Sequence, residues 1–263
     1  MSNTYLIGDI HGCFEDFIQL IEKMPLGPSD QLILLGDLAS KGPDGVKMLE
    51  WLVCNRNIRS ILGNHDLILL HDILVSPVFN PKEWLETLKS SKHFSLIVDW
   101  LRNQPLIMIE PSHCFVHAGL YHEWDDNDLK KIASETPSLI EPNFLKKHFE
   151  VMHDHLYPAQ NDPHFWVNVL VNIRFIDKKT NKLIKDFHAP EKRLYPDSIP
   201  WFEPTPKYSP DLNVYFGHWS MLKALHHKNV WCLDGGCVYG NALVGLRVED
   251  KTIYTVNSSI RKR

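Results

Sequence analysis

Short apolar runs and amphipathic stretches alternate along the first hundred residues. TYLIGD (4–9) has the character of a buried strand ending in a turn. FEDFIQLIEKM (14–24) then sets Phe14, Phe17, Ile18 and Ile21 on one helical face. QLILLGD (31–37) repeats the strand-then-turn pattern, and DGVKMLEWLVCN (44–55) reads as a second amphipathic helix. IRSILGNHD (58–66) reads as a third strand closing in a polar turn, followed by an apolar helix, LILLHDIL. Strand–helix alternation of this length predicts an α/β fold with a parallel sheet. Acidic, amide and histidine residues fall just past the strands, at the edge where open α/β sheets usually bind ligands.

The middle of the chain is less regular. Residues 80–103 and 127–155 have helical patterns punctuated by prolines, and IMIEPSHCFVHAG (107–119) reads as a hairpin whose second strand delivers His117. The proline-rich stretch 187–210 reads as an ordered, extended loop. NVYFGH, NVWCLDGG and ALVGLRVEDKTIYTV read as C-terminal strands, with VEDKT as a hairpin turn. No repeat at solenoid spacing is visible. Candidate ligands come from both ends of the chain, which predicts one domain over 1–263, with helical insertions at about 80–103 and 120–210.

Composition narrows this little: 44% hydrophobic and 23% charged residues are near globular averages. A formal charge of −4 argues against nucleic-acid binding driven by bulk charge. The N-terminal stretch lacks a signal-peptide pattern, no run is long enough to span a bilayer, and the five cysteines are scattered without a CxxC pair. The expectation is a cytoplasmic protein with reduced thiols and no membrane association.

Chemistry enters with three motifs of one form, an apolar strand, a glycine, then metal-type ligands: GDIHG (8–12), GDLASKGP (36–43) and GNHD (63–66). Glycine lets backbone and ion approach closely. Asp9 and His11, two apart, point to one side of an extended segment and suit a borderline divalent ion such as Mn, Fe, Co or Zn. FVHAG (115–119) and YFGHW (215–219) add two strand-end histidines beside glycine. Any single GD turn is more often only a turn, and with fifteen histidines accidental matches are easy; His71, His93, His113, His122, His148 and His226 read as such. The ordered set of five motifs carries the argument.

That series resembles the metallophosphoesterase family that includes the phosphoprotein phosphatases. More closely it resembles the bacterial symmetrical diadenosine tetraphosphatases, through YLIGDIHGCF, LGNHDL, WLRNQPL, FVHAGL, FGHWS and LDGGCVYGNALVGLR, over nearly the whole chain. The resemblance implies the metallophosphoesterase fold, two packed mixed β-sheets flanked by helices. It implies that Asp9 and His11 hold a first metal, that Asp37 bridges to a second, and that Asn64, His117 and His218 complete the second. Two divalent cations about 3.5–4 Å apart share a hydroxide and polarise phosphoryl oxygens. Manganese comes first, with cobalt, iron, zinc or magnesium compatible with the mixed donor set.

His65 would be the general acid for a departing ADP oxygen, and Arg174, in NIRF, a phosphate-binding arginine. Lys41 stands where the family usually has arginine and keeps the charge without the bidentate fork. Ser40 stands where protein phosphatases carry an aspartate, which weakens that reading. Asp66 would orient a neighbour or cap the helix; Trp201, Phe202, Tyr208, Trp219 and Tyr239 are aromatics able to stack on adenine, though such residues are more often core. Cys237 packs or shapes a turn, and Asp234 structures the glycine turn. The implied activity is symmetrical hydrolysis of diadenosine tetraphosphate to two ADP by a monomer, with capped RNA ends as a second substrate of the same linkage. The alternatives are a Ser/Thr phosphoprotein phosphatase of the same fold and a catalytically silent nucleotide or metal sensor.

Overall fold

A computed structural model describes residues 2–55, 57–153 and 159–261. The N-terminal alternation appears as β1 (Thr4–Ile7), α1 (Phe14–Lys23), β2 (Gln31–Leu34), α2 (Gly45–Cys54), β3 (Ile58–Ser60) and α3 (Asn64–Leu74). Next come α4 (Lys82–Lys89), α5 (Phe94–Arg102), β4 (Ile107–Glu110), β5 (His113–Val116), α6 (Asp126–Glu135), α7 (Pro142–His153) and α8 (Pro163–Asn172). The remainder is β6 (Phe175–Asp177), β7 (Leu183–Ile184), β8 (Ser198–Pro200), β9 (Asn213–Phe216), β10 (His226–His227), β11 (Val230–Cys232), β12 (Ala242–Arg247) and β13 (Ile253–Asn257).

Two five-stranded mixed sheets form the centre, in the orders β13-β12-β1-β2-β3 and β10-β11-β9-β5-β4. In the first, β1, β2 and β3 are parallel, and β12 joins β1 antiparallel. In the second, β5, β9 and β11 are parallel between antiparallel edges. The period of two along each strand explains the layering. Leu6 and Ile33 share one buried cluster with Phe115, Tyr215 and Trp231 from the other sheet, whereas Tyr5, Ile7, Leu32 and Leu34 belong to a second cluster with the helices. Burying each such aliphatic or aromatic side chain contributes roughly 1.5–3 kcal/mol.

Four details differ from the sequence expectations. Helix α1 centres its buried face on Phe14, Phe17 and Leu20, with Ile18 and Ile21 only partly buried. Helix α3 begins at Asn64 rather than after the GNHD turn, so part of that motif is helical. The 120–210 insertion is not purely helical: it holds a three-stranded antiparallel sheet, β7-β6-β8. Its strand β8 lies inside the proline-rich stretch, and Pro200 is tolerated because β8 is an edge. The helical pattern expected to residue 155 runs to His153, and its last two residues lie outside the described ones. Among the described residues no helix is long and apolar enough to cross a membrane.

Candidate metal centre

The loops after β1, β2, β5 and β9, with the start of α3, converge at one end of the sheets. Backbone geometry there is unusual. His11, Asp37, Lys41 and His218 all have positive φ, at 49°, 54°, 74° and 66°. Non-glycine residues in this region cost of order 1–3 kcal/mol each and cluster at functional sites. Glycines make the room: a Cβ on Gly63 would collide with Asp37 Oδ1, and one on Gly217 with Asp9 Oδ1. By lacking a side chain, these glycines leave free the volume that the carboxylates occupy.

The six residues Asp9, His11, Asp37, Asn64, His117 and His218 are brought together, and all but Asn64 are buried. Asp9, Asp37 and His117 offer ligand atoms within 4.8 Å of one another. His117 Nδ1 lies 2.7 Å from the Leu35 carbonyl oxygen, an acceptor, so Nδ1 carries the hydrogen and Nε2 keeps its lone pair. That lone pair faces Asn64 Oδ1 at 3.1 Å and Asp37 Oδ1 at 3.6 Å. His218 has an acceptor at each ring nitrogen: Nε2 is 3.3 Å from the Asn172 carbonyl oxygen, and Nδ1 is 3.0 Å from Asn64 Oδ1. His11 Nε2 lies 3.4 Å from Asp37 Oδ2 and 3.9 Å from Asp9 Oδ2, while its buried Nδ1 has no partner. Two carboxylates, an amide oxygen and three imidazoles are thus crowded into one buried site, a donor set that suits a divalent cation. The residues fit the group.

Charge states agree with that fit. Burial lowers His11 to about 3 and depresses His117 and His218, keeping the imidazoles neutral and able to ligate. Burial raises Asp9 well above the usual range, helped by Asp234 and Asp37. Asp37 is lowered: burial opposes this, and any attraction from His117, His65 and His11 would require protonated rings, so with neutral imidazoles the cause that holds is the His65 amide, which donates to it at 2.9 Å. Buried carboxylates so close together need compensating cations.

The centre opens into a cavity of about 420 Å³ lined also by His65, Lys41, Arg174 and Asp234. The His65 ring lies edge-on to His11, with centroids 5.1 Å apart. Burial lowers its pKa, and the cations Lys41 and Arg174 add to this. Arg174 follows α8; it donates to the His218 carbonyl oxygen at 3.2 Å, and its buried Nε has no partner. The exposed Lys41 donates to the Tyr239 hydroxyl at 3.2 Å. Asp234 accepts from the Gly236 amide at 2.9 Å, shaping the glycine turn, and its carboxylate also lines the cavity.

Asp66 is not the N-cap of α3. Gly63 is, and Asp66 sits in the first turn, accepting backbone N–H groups from Asp37, Leu38 and Gly63 at 2.7, 3.0 and 2.8 Å. Ser40 is buried. Cys237 is buried too, and its thiol donates to Asp16, so it packs rather than attacks. The aromatic candidates divide: Trp201, Phe202, Tyr208 and Trp219 are core, and of the five only Tyr239 lines the cavity. Phe187, unmarked by any sequence motif, lines it as well. The histidines set aside as accidental do not line it.

The match to known proteins follows this geometry. The model of the calcineurin-like phosphoesterase family matches residues 3–219. A Hamiltonella defensa protein named bis(5′-nucleosyl)-tetraphosphatase, symmetrical, is 34% identical over 97% of this chain and 96% of its own. One of the same name from Photorhabdus laumondii is 34% identical over 97% of each. A crystal structure of a putative diadenosine tetraphosphatase shares the fold, with a TM-score of 0.63 at 22% identity over 98% of this chain and 94% of that one. The chain belongs to the calcineurin-like phosphoesterase family, whose members are metal-dependent hydrolases.

Proposed function

We propose that this protein hydrolyses diadenosine tetraphosphate symmetrically to two ADP, using a dinuclear centre held by Asp9, His11, Asp37, Asn64, His117 and His218. The observation that carries the reading is the set of imidazole nitrogens and carboxylate oxygens brought together beneath a cavity that Lys41 and Arg174 line. The names of the full-length relatives supply the substrate. Bound cations, manganese first among those compatible with the donors, would acidify a water and offset phosphoryl charge. Asp37 would bridge the two cations, a reading supported by its having one oxygen towards His11 and the other towards His117.

Around that centre the chain's own groups divide the work. Arg174 and Lys41 bring positive charge to phosphate oxygens, Arg174 with a buried N–H free to donate. His65 protonates the departing ADP oxygen. Its depressed pKa in the free protein reflects burial and neighbouring cations, and an anionic polyphosphate would counter the second of these. The chain is read as one working unit, 1–263, acting as a cytoplasmic monomer. Capped RNA ends bearing the same anhydride are a second substrate.

The test is product analysis. Purified protein with manganese is given diadenosine tetraphosphate or a phosphopeptide, and products are separated by chromatography. ADP as sole nucleotide product is expected. ATP plus AMP would contradict symmetrical cleavage, and phosphopeptide turnover with an inert dinucleotide would transfer the reading to a protein phosphatase.

A further inference from the structure

Two large aromatic side chains are left in solvent at the mouth of the catalytic cavity: Phe187 is 60% exposed and Tyr239 is 53% exposed. Each has a cation against its ring. The Arg174 guanidinium lies 5.1 Å from the Phe187 centroid, and Lys41 Nζ lies 5.7 Å from that of Tyr239. Each also lines a further cavity leading away from the metal centre. Beyond Phe187 is one of about 190 Å³, bordered by Asn168 and Asn172 and shared with the central cavity through Asn172, Arg174 and Phe187. Beyond Tyr239 is one of about 630 Å³, bordered by Arg261 and shared through Lys41 and Tyr239. On both sides a cation and an exposed aromatic are shared between the central cavity and a second one: Arg174 and Phe187 in one case, Lys41 and Tyr239 in the other.

Both rings are held by built turns. Asp186, buried beside Phe187, accepts the amides of His188 and Leu194 at 3.0 and 2.6 Å and so closes the loop that displays Phe187. Tyr239 sits in a tight turn between Gly236 and Gly240, whose φ values are 73° and 77°. Ordered, exposed aromatics beside cations are the chemistry of nucleobase stacking next to phosphate.

Resting on the dinucleotide reading above, we propose that Phe187 and Tyr239 are two nucleobase platforms flanking the phosphate-binding centre. Arg174 and Lys41 take the phosphates nearest each base. A base on each side registers the middle of the polyphosphate over the metal ligands, which accounts for cleavage into equal halves. A phosphomonoester on a peptide would use neither platform.

Calorimetric binding to manganese-loaded protein tests this without turnover, with ADP and inorganic pyrophosphate as probes. Wild type should bind ADP more tightly than pyrophosphate at two sites. Phe187→Ala and Tyr239→Ala should each weaken one ADP event about five- to tenfold. The double variant should bind ADP no better than pyrophosphate, and Phe187→Tyr with Tyr239→Phe should restore the preference. Unchanged ADP binding in both alanine variants, or equal losses for both probes, would overturn the platforms. If the platforms pass and diadenosine tetraphosphate is not cleaved, the substrate reading falls and the base sites stand. If both alanine variants cleave it at the wild-type KM, the platforms fall and the substrate reading stands.

Discussion

Asp66 Oδ2 accepts the backbone N–H of Asp37 at 2.7 Å, joining the loop after β2 to the first turn of α3. The same oxygen accepts from Gly63, and Oδ1 accepts from Leu38. The carboxylate therefore fixes the backbone that presents both Asp37 and Asn64, and Asp66 is a positioning residue. Asp66→Asn places an amide NH₂ against an N–H donor in either orientation. We expect a loss of about 1–3 kcal/mol in stability by chemical denaturation. Manganese affinity should fall about 10–100-fold by titration. Unchanged metal affinity would show that the bracing is dispensable.

Gly217 has no room for a side chain, because a Cβ there would collide with the Asp9 carboxylate, which also receives the His218 amide at 2.8 Å. Gly217→Ala should cost about 1–3 kcal/mol and lower metal occupancy, measured by elemental analysis of the purified protein. Gly27→Ala, whose Cβ would meet only the Asp30 side chain at 3.4 Å, is the control and should retain its metal.

If Asp37 bridges two ions, Asp37→Ala should reduce bound metal from two equivalents to one or none. It should also abolish dinucleotide hydrolysis. A variant that keeps both equivalents and a normal rate would remove Asp37 from the centre.

For His65 the informative quantity is the dependence on leaving group. His65→Asn should lower kcat on diadenosine tetraphosphate by about 10²-fold. The loss should be larger on an alkyl phosphate ester, whose departing oxygen is more basic. Equal losses on both would deny it the role of proton donor.

Away from the site, His148 on α7 is buried, with no partner for its Nδ1 among the described residues and its ring stacked near Phe144 and His164. Burial lowers its pKa to about 3, and His164 adds to this. The unfolded chain then binds more protons than the native one between pH 6.5 and about 3, so stability falls as pH falls through that window. At pH 5 the deficit is about 2 kcal/mol. His148→Phe should shrink the difference in unfolding free energy between pH 8 and pH 5 by about that amount.

The strands, the helices and the glycine-ligand turns were legible because they are local. Period-two and helical patterns record which face is buried, and a glycine before Asp9, Asp37 or Asn64 records a tight approach. Four of the five aromatic candidates are core, the commoner reading for such residues, and the sequence did not single out the fifth because an aromatic reads the same in a core as at a cavity mouth; Trp201 and Trp219 are buried, and Tyr239 is not. Phe187 left no local signal, since its position depends on a loop closed by Asp186. The strand at Ser198–Pro200 was hidden by its proline, Pro200, which is tolerated because of the strand's place at a sheet edge.

By itself the sequence determined the order of elements, the set of candidate donors and the likeness to a family, since these reside in neighbouring residues and their spacing. Tertiary structure decided which atoms meet. Asn64 and His218 are 154 residues apart, yet they lie 3.0 Å from one another, and only the packing of two sheets brings their loops together. The tautomer of His117 was equally beyond local reading, because it is set by the Leu35 carbonyl, 82 residues away in the chain.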